Sequence, residues 1–367
     1  MTKKGLQLES IKSWMKVDRP IIISGPCSAE TEEQMMATAK QIAATGKVHA
    51  LRAGIWKPRT RPGQYEGAGN EGLKWLIRAG KETGLPVTTE VANAAHVEAS
   101  LKAGVDILWV GARTTVNPFS VQEVADALKG VDIPVMVKNP VNPDLELWIG
   151  AMERLNKAGI TKLVAIHRGF SSFEKGPFRN APMWDMAIEL KTRIPELDII
   201  CDPSHISGTR ELIAFVSQKA LDLDMDGLMI ESHINPDAAW SDAKQQVTPA
   251  VLGKIIEGLV VREADAASKS FKDTLSILRE QIDHLDDEIM SKMAARMKIS
   301  EKIGQYKKEN NVTILQVSRW EEIVQTRVAM GKAMGLDEGF TRDLLRLVHH
   351  ESIQVQEKVM NKAEVKV

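Results

Sequence analysis

The chain has 367 residues, 43% of them hydrophobic and 26% charged, which is enough for two or three domains and excludes a low-complexity or disordered class. Its 48 Lys and Arg balance 49 Asp and Glu to a net charge of −1, so nothing draws the whole surface to nucleic acid or membrane, and any anion site must come from a local cluster. Two cysteines, Cys27 and Cys201, exclude a disulfide scaffold; the polar N-terminus lacks a signal-peptide core and no run nears the ~20 apolar residues of a membrane span, so a cytoplasmic protein without nucleic-acid or membrane partners is expected.

In chain order, short runs rich in Val and Ile begin at Pro20, Val48, Leu85, Ile107, Pro134, Lys162, Asp198 and Gly227. Continuous apolar runs of this length suit strands buried on both faces of a parallel sheet. Helical stretches separate them, several ending in a glycine that suits a C-cap. Eight strand–helix units predict an α/β fold closed into a (β/α)8 TIM barrel. An open doubly wound sheet is the alternative, although no GxGxxG follows the first strand.

After Ile256 the period changes. Val261–Asp273 is polar and reads as a linker, and beyond it Leu275, Leu278, Ile282, Leu285, Ile289 and Met293 step by three and four. This is the stripe of an amphipathic helix running to about Ile303, more than 30 residues and ~50 Å long. A domain of about 95 residues cannot cover such a helix alone, so pairing with a second copy is expected. Two further helices are predicted over about 318–332 and 338–360, broken at Gly335, with Asp337 as N-cap. The expected division is therefore a barrel over 1–262, a linker over 263–272 and an all-α three-helix domain over 273–367.

In a barrel of this kind, chemistry gathers at the C-terminal ends of the strands. Those positions carry Arg52, Lys57 and Arg59 after the second strand, Arg113 after the fourth, Lys138 after the fifth, and His167 with Arg168 after the sixth. Cations converging on one mouth repel each other unless an anionic ligand or carboxylates balance them, and phosphate and carboxylate suit Arg in particular. A second set, Cys27, His205, Glu231 and Asp242, suits a first-row divalent ion, although its spacing matches no compact metal motif.

The motifs Gly25-Pro26-Cys27-Ser28, Lys57-Pro58-Arg59-Thr60, Gly111-Ala112-Arg113-Thr114-Thr115, Asp202-Pro203-Ser204-His205 and Ile230-Glu231-Ser232-His233 occur in that order. Together they resemble 3-deoxy-D-arabino-heptulosonate 7-phosphate (DAHP) synthase over about residues 15–260. The resemblance implies condensation of phosphoenolpyruvate with erythrose 4-phosphate. It implies that Arg52, Lys57, Arg113, Lys138 and Arg168 hold phosphoenolpyruvate, that Arg59 and Thr60 anchor erythrose 4-phosphate, and that Cys27, His205, Glu231 and Asp242 bind a divalent metal (Mn, Fe, Co or Zn). Lys57 is further expected to be the general acid. Arg61 departs from the family, which often carries Ser or Thr there. The rival within the fold is the synthase that uses arabinose 5-phosphate; Lys-Pro-Arg-Thr favours the four-carbon sugar.

In the tail, Leu278-Arg279-Glu280-Gln281-Ile282-Asp283, then Arg296 and Lys307, and the pair Ser352 and Gln356 resemble all-helical chorismate mutase from about Leu275 to Met360. The resemblance implies a homodimer in which Arg279 reaches the partner's site, with Arg279 and Arg296 on the carboxylates and Lys307 and Gln356 on the ether oxygen of chorismate as it becomes prephenate. Arg319 and Ser352 complete the expected binding set. The family usually has acidic residues at the positions of Gln316 and Trp320, where the substrate hydroxyl is contacted, and this chain departs at both. The alternative is a non-catalytic tail that dimerises and senses chorismate or prephenate. Feedback inhibition of the barrel through the tail is compatible with either.

Overall fold

The computed structural model describes residues 5–17, 20–59, 63–173, 176–262 and 269–361. The eight apolar runs form β1 (Ile21–Gly25), β2 (Ala50–Arg52), β3 (Val87–Val91), β4 (Ile107–Val110), β5 (Val135–Lys138), β6 (Leu163–His167), β7 (Asp198–Cys201) and β8 (Gly227–Glu231). They pair in parallel and in sequence order, and β8 closes onto β1 with Gly25 opposite Glu231. The sheet is a closed barrel, which disposes of the open alternative.

Around it lie α2 (Glu32–Ala44), α3 (Asn70–Thr83), α4 (Ala94–Ala103), the short α5 (Ala112–Thr115), α6 (Pro118–Ala127) and α7 (Leu145–Lys157), preceded by α1 (Ile11–Met15). The set continues with α8 (Trp184–Arg193), α9 (Pro203–Ser207), α10 (Ile213–Asp222) and α11 (Pro249–Gly258). Local sequence starts and stops them. Thr31, Asn93 and Asp144 cap α2, α4 and α7 through their side chains, and Gly84 and Gly104 end α3 and α4 in the left-handed conformation.

Strand alternation sorts the core into two layers. Ile21, Ile23, Ala50, Trp109, Met136, Val164, Ile166, Ile200 and Met229 fill the barrel interior; the residues between them face the helices. α1 closes the N-terminal end. Its Ile11 is fully buried in the interior cluster, and the Ile11 amide donates to Asp198 Oδ2 at the foot of β7 (2.5 Å).

The chain divides into two compact units, Met1–Ala264 and Asp265–Val367. The second contains α12 (Lys269–Glu309), α13 (Val317–Ala333) and α14 (Glu338–Asn361). At 41 residues α12 is longer than its periodicity suggested, starting inside the stretch read as linker, whose residues 263–268 lie outside those described. Asp337 caps α14 through Phe340 N (2.8 Å). α14 packs on the C-terminal half of α12 at Gly304, where a Cβ would stand 3.0 Å from Gln356 Cα, so a larger residue would require the helices to shift apart by a few tenths of an ångström. Along the N-terminal half of α12, Leu278, Ile282, Leu285 and Ile289 are each at least 50% exposed. Among the described residues no helix is long and apolar enough to cross a membrane.

Candidate active site

The inward parity of the barrel strands continues one step beyond the apolar interior and there turns polar. Past Ala50 it reaches Arg52, past Met136 Lys138, past Ile166 Arg168, past Ile200 Asp202 and past Met229 Glu231. These five side chains are buried, and four of them form two ion pairs while Arg168 is held by neutral acceptors. Arg52 Nη1 donates to Glu231 Oε1 (2.8 Å), with its guanidinium 4.9 Å above the Trp109 ring, and Lys138 Nζ donates to Asp202 Oδ2 (2.8 Å). Arg168 donates to Asn180 Oδ1 (3.0 Å) and the Gly169 carbonyl, and burial lowers its pKa to about 10.

Above this layer opens a cavity of about 500 Å³, lined by Lys57, Arg59, Arg113, Lys138, Arg168 and Arg179 together with His205 and Asp242. Arg52 does not border it. It lies beneath, against Glu231, because both strands turn these residues into the barrel, where each charge offsets the other. Arg59 reaches the cavity with its Nε bonded to the Tyr65 carbonyl (2.7 Å). Thr60 lies outside the described residues.

His167 corrects an expectation. It faces the helices rather than the mouth, packed among Trp148, Phe170 and Trp184, and burial pulls its pKa down to about 3. Its odd parity places a neutral ring in the outer core, so it is not one of the converging cations.

Cys27 follows β1 and is fully buried. Its Sγ and carboxylate oxygens of Glu231 and Asp242 all lie within 4.8 Å of one another, the one such cluster of His, Cys, Asp and Glu among the described residues. A first-row ion with bonds of ~2.0–2.3 Å sets its ligands about 3–4 Å apart, so the three atoms need only small shifts to share one. His205 flanks the trio, its Nε2 3.9 Å from Glu231 Oε1 and its Nδ1 2.8 Å from Asp202 Oδ2. A carboxylate behind a histidine in this way fixes the ring and its tautomer for metal binding.

The electrostatics suit a cation. Burial, and then the Glu231 carboxylate, push the Cys27 thiol up to about 12, so a positive charge would be needed to make it a thiolate. Lys57 Nζ stands 2.9 Å from Cys27 Sγ and also donates to the Cys27 carbonyl (3.2 Å). Burial would lower the Lys57 pKa, but Cys27 and Glu231 outweigh it and raise it. Asp242 sits in the left-handed region (φ 48°) at the tip of its turn, a costly conformation that aims its carboxylate at Cys27 Sγ (3.3 Å). Burial opposes its ionisation, yet His205 and Arg179 hold it well below the usual carboxylate range.

Several participants escaped the sequence reading. Arg179 donates to Asp242 Oδ1 (3.0 Å) and Gln245 Oε1 (2.6 Å); Gln245 in turn donates to Glu231 Oε2 (2.7 Å), and the Cys27 amide donates to Gln246 Oε1 (2.8 Å). Arg179 and Gln246 lie in irregular loops and Gln245 ends a single 3-10 turn (Ala243–Gln245), so none carries a periodicity or a distinctive spacing. Asp202 was visible in its motif. It caps α9 through His205 N (3.0 Å), orients the His205 ring and pairs with Lys138. Despite burial, His205 and then Lys138 hold it well below the usual carboxylate range. Gly111 leaves space for Glu90, since a Cβ there would lie 2.1 Å from Glu90 Oε1.

In the helical unit, Arg296 Nη1 donates to Ser352 Oγ and to the Val348 carbonyl (3.4 Å), tying α12 to α14. Gln356 Nε2 donates to the Ser352 carbonyl (3.1 Å), and Lys307 Nζ to the Ile314 carbonyl. Burial lowers the pKa of both Arg296 and Lys307. Arg319 instead pairs with Glu322 on its own helix (2.6 Å). Arg279 is exposed and about 25 Å from Arg296 along the helix axis.

The fold and mouth define a (β/α)8-barrel enzyme built for anionic substrates, joined to a helical unit with partly buried cations of its own, Arg296 and Lys307. Residues 14–264 match the DAHP synthetase I family and residues 278–357 match chorismate mutase type II, and the chain belongs to the DAHP synthetase I family with a chorismate mutase domain behind it. It is a bifunctional enzyme of the shikimate pathway.

A Thermotoga maritima relative, a phospho-2-dehydro-3-deoxyheptonate aldolase, is 30% identical over 64% of this chain and 68% of its own. A 2-dehydro-3-deoxyphosphooctonate aldolase of Polaromonas naphthalenivorans is 28% identical over 69% of this chain and 93% of its own. The crystal structure of the Thermotoga maritima DAHP synthase superposes with a TM-score of 0.57 at 30% identity, covering 65% of this chain and 67% of that one.

Proposed function

We propose that residues 1–262 condense phosphoenolpyruvate with D-erythrose 4-phosphate, and that residues 273–367, beyond a linker over 263–272, rearrange chorismate to prephenate. The observation that carries the first reading is the meeting, at one mouth, of a cation-lined cavity and the Cys27/Glu231/Asp242 cluster flanked by His205. Arg113, Lys138 and Arg168 hold phosphoenolpyruvate over the Arg52–Glu231 pair, while Arg59 and Thr60 take the phosphate of the aldose. Cys27, His205, Glu231 and Asp242 hold a divalent metal, which supplies Lewis-acid polarisation of the aldehyde. C3 of phosphoenolpyruvate bonds to the aldehyde carbon, Lys57 delivers a proton to the developing alkoxide, and water adds at C2 as phosphate leaves. The fixed cations stabilise charge without reorganising.

The mutase reaction transfers no proton, so the site must fix one conformer and stabilise the ether oxygen. Arg296 and Ser352 suit a carboxylate, Lys307 and Gln356 the ether oxygen, and Arg319 completes the binding set. Arg279, too far along α12 to serve its own chain's pocket, serves the partner's in a homodimer. The exposed apolar stripe from Leu278 to Ile289 supports that pairing. We place the enzyme in the cytoplasm and assign the tail a second role, inhibition of the barrel when chorismate or prephenate binds, which requires differential affinity for two states.

A coupled assay of the full chain tests these readings. Phosphoenolpyruvate with erythrose 4-phosphate should turn over, chelator should abolish the reaction, and prephenate should slow it. Turnover with arabinose 5-phosphate alone would favour the activity named for the Polaromonas naphthalenivorans relative. Full activity under chelator would reject the metal site, and indifference to chorismate and prephenate the inhibition.

A further inference from the structure

In the helical unit, α14 presents His349, Ser352 and Gln356 along one stripe, at steps of three and four residues. Ser352 is engaged by Arg296, but Gln356 Oε1 and His349 Nε2 are shielded from solvent and lack a hydrogen-bond partner. Buried polar atoms in folded proteins are nearly always paired, so two orphans on one stripe mark places that a ligand's polar groups complete. The His349 ring is not loose. It stacks on Trp320 of α13, with centroids 4.1 Å apart and planes 15° from parallel. An indole face offers no hydrogen bond, so the stack holds the ring by its face and leaves its edge nitrogens for other partners. Burial, then the nearby charges of Arg296 and Lys307, lower the pKa of His349, so the ring is neutral beside two cations.

Arg296 suits a carboxylate and Lys307 the ether oxygen, and a neutral imidazole edge near both suits an uncharged donor–acceptor group. We infer that His349 is a substrate-binding residue of the mutase site, its Nε2 hydrogen-bonded to the ring hydroxyl of the cyclic dicarboxylate, and that Trp320 is its positioning residue. This rests on the chorismate mutase reading given above. It also accounts for an indole at position 320, where a carboxylate is usual: the hydroxyl contact passes from α13 to α14, and Trp320 keeps the new partner in place.

The test uses the full chain, with chorismate and with the same dicarboxylate lacking the ring hydroxyl as the probe. Steady-state mutase kinetics should show His349→Ala raising KM for chorismate about tenfold, the loss of one hydrogen bond, with kcat within about threefold. His349→Gln, which keeps a polar edge, should recover part of that loss. Binding of the deoxy compound, measured by calorimetry, should be the same for wild type and His349→Ala. Trp320→Ala should mimic His349→Ala in KM, and circular dichroism should show the helical content of every variant unchanged. Equal loss of affinity for both ligands in His349→Ala, or an unchanged KM for chorismate, would overturn the assignment while leaving the mutase reading intact. A wild-type chain that neither binds nor converts chorismate would overturn both.

Discussion

Asp202 combines three structural duties at the barrel mouth. It caps α9, orients His205 and neutralises Lys138, all while fully buried. Asp202→Asn keeps the size but removes the charge, leaving Lys138 buried without its counter-ion and His205 without its orienting carboxylate. Steady-state kinetics of the barrel reaction should show kcat/KM about 100-fold lower, and metal titration should show affinity reduced by about 10–100-fold. His167 makes a prediction about pH. Its folded-state pKa of about 3 lies below the ordinary 6.5, so the unfolded chain binds a proton that the native state refuses. Its contribution is fully present above about pH 6.5 and is lost as pH falls toward about 3. Between pH 7.5 and 5 this amounts to about 2 kcal/mol, and His167→Leu should lose that much less over the same interval in denaturant titrations. Equal losses in both proteins would show that the buried ring is not the cause.

Among the elements, α1 shows how a short segment serves a site at the opposite end. Five residues close the foot of the barrel through Ile11, and the Asp198 carboxylate receives the helix's first amide. Ile11→Ala should cost about 3 kcal/mol in denaturant unfolding, in the range for buried aliphatic truncations. Native-state KM values should stay unchanged, because the mouth lies at the far ends of the strands. The strands themselves were legible from their apolar runs, and the periodicity of α12 was legible too. The start of α12 at Lys269 was not. Lys269–Asp273 carries no strong apolar signal, and helix propagation through polar residues costs little once the following turns are formed.

At the scale of the whole molecule, the exposed stripe of α12 predicts its assembly. Replacing both Leu285 and Ile289 with Glu places charge in that stripe, and sedimentation should then report monomers where the wild type gives dimers. Mutase activity should fall with dimerisation, because Arg279 of one chain serves the site of the other, while the barrel reaction should persist without its response to prephenate. A wild-type monomer at micromolar concentration would reject the intertwined arrangement.

By itself the sequence determined the architecture and the chemistry of its candidate residues. Strand runs, helix periods, capping residues and the order of five strand-end motifs are local properties, set by burial on two faces and by backbone geometry within a few residues. Only the tertiary structure decided how those residues are used. Strand parity sent Arg52 beneath the cavity onto Glu231 and His167 outward among tryptophans, although both follow similar apolar runs. Closure of the barrel brought Cys27, Glu231 and Asp242 together across more than 200 residues of chain, and it recruited Arg179 and Gln245 from short connecting segments with no pattern to read. The physical reason is the same in each case. Local sequence sets which way a side chain points along its own element, whereas the partner that balances its charge or completes its hydrogen bonds arrives from another element only when the chain folds.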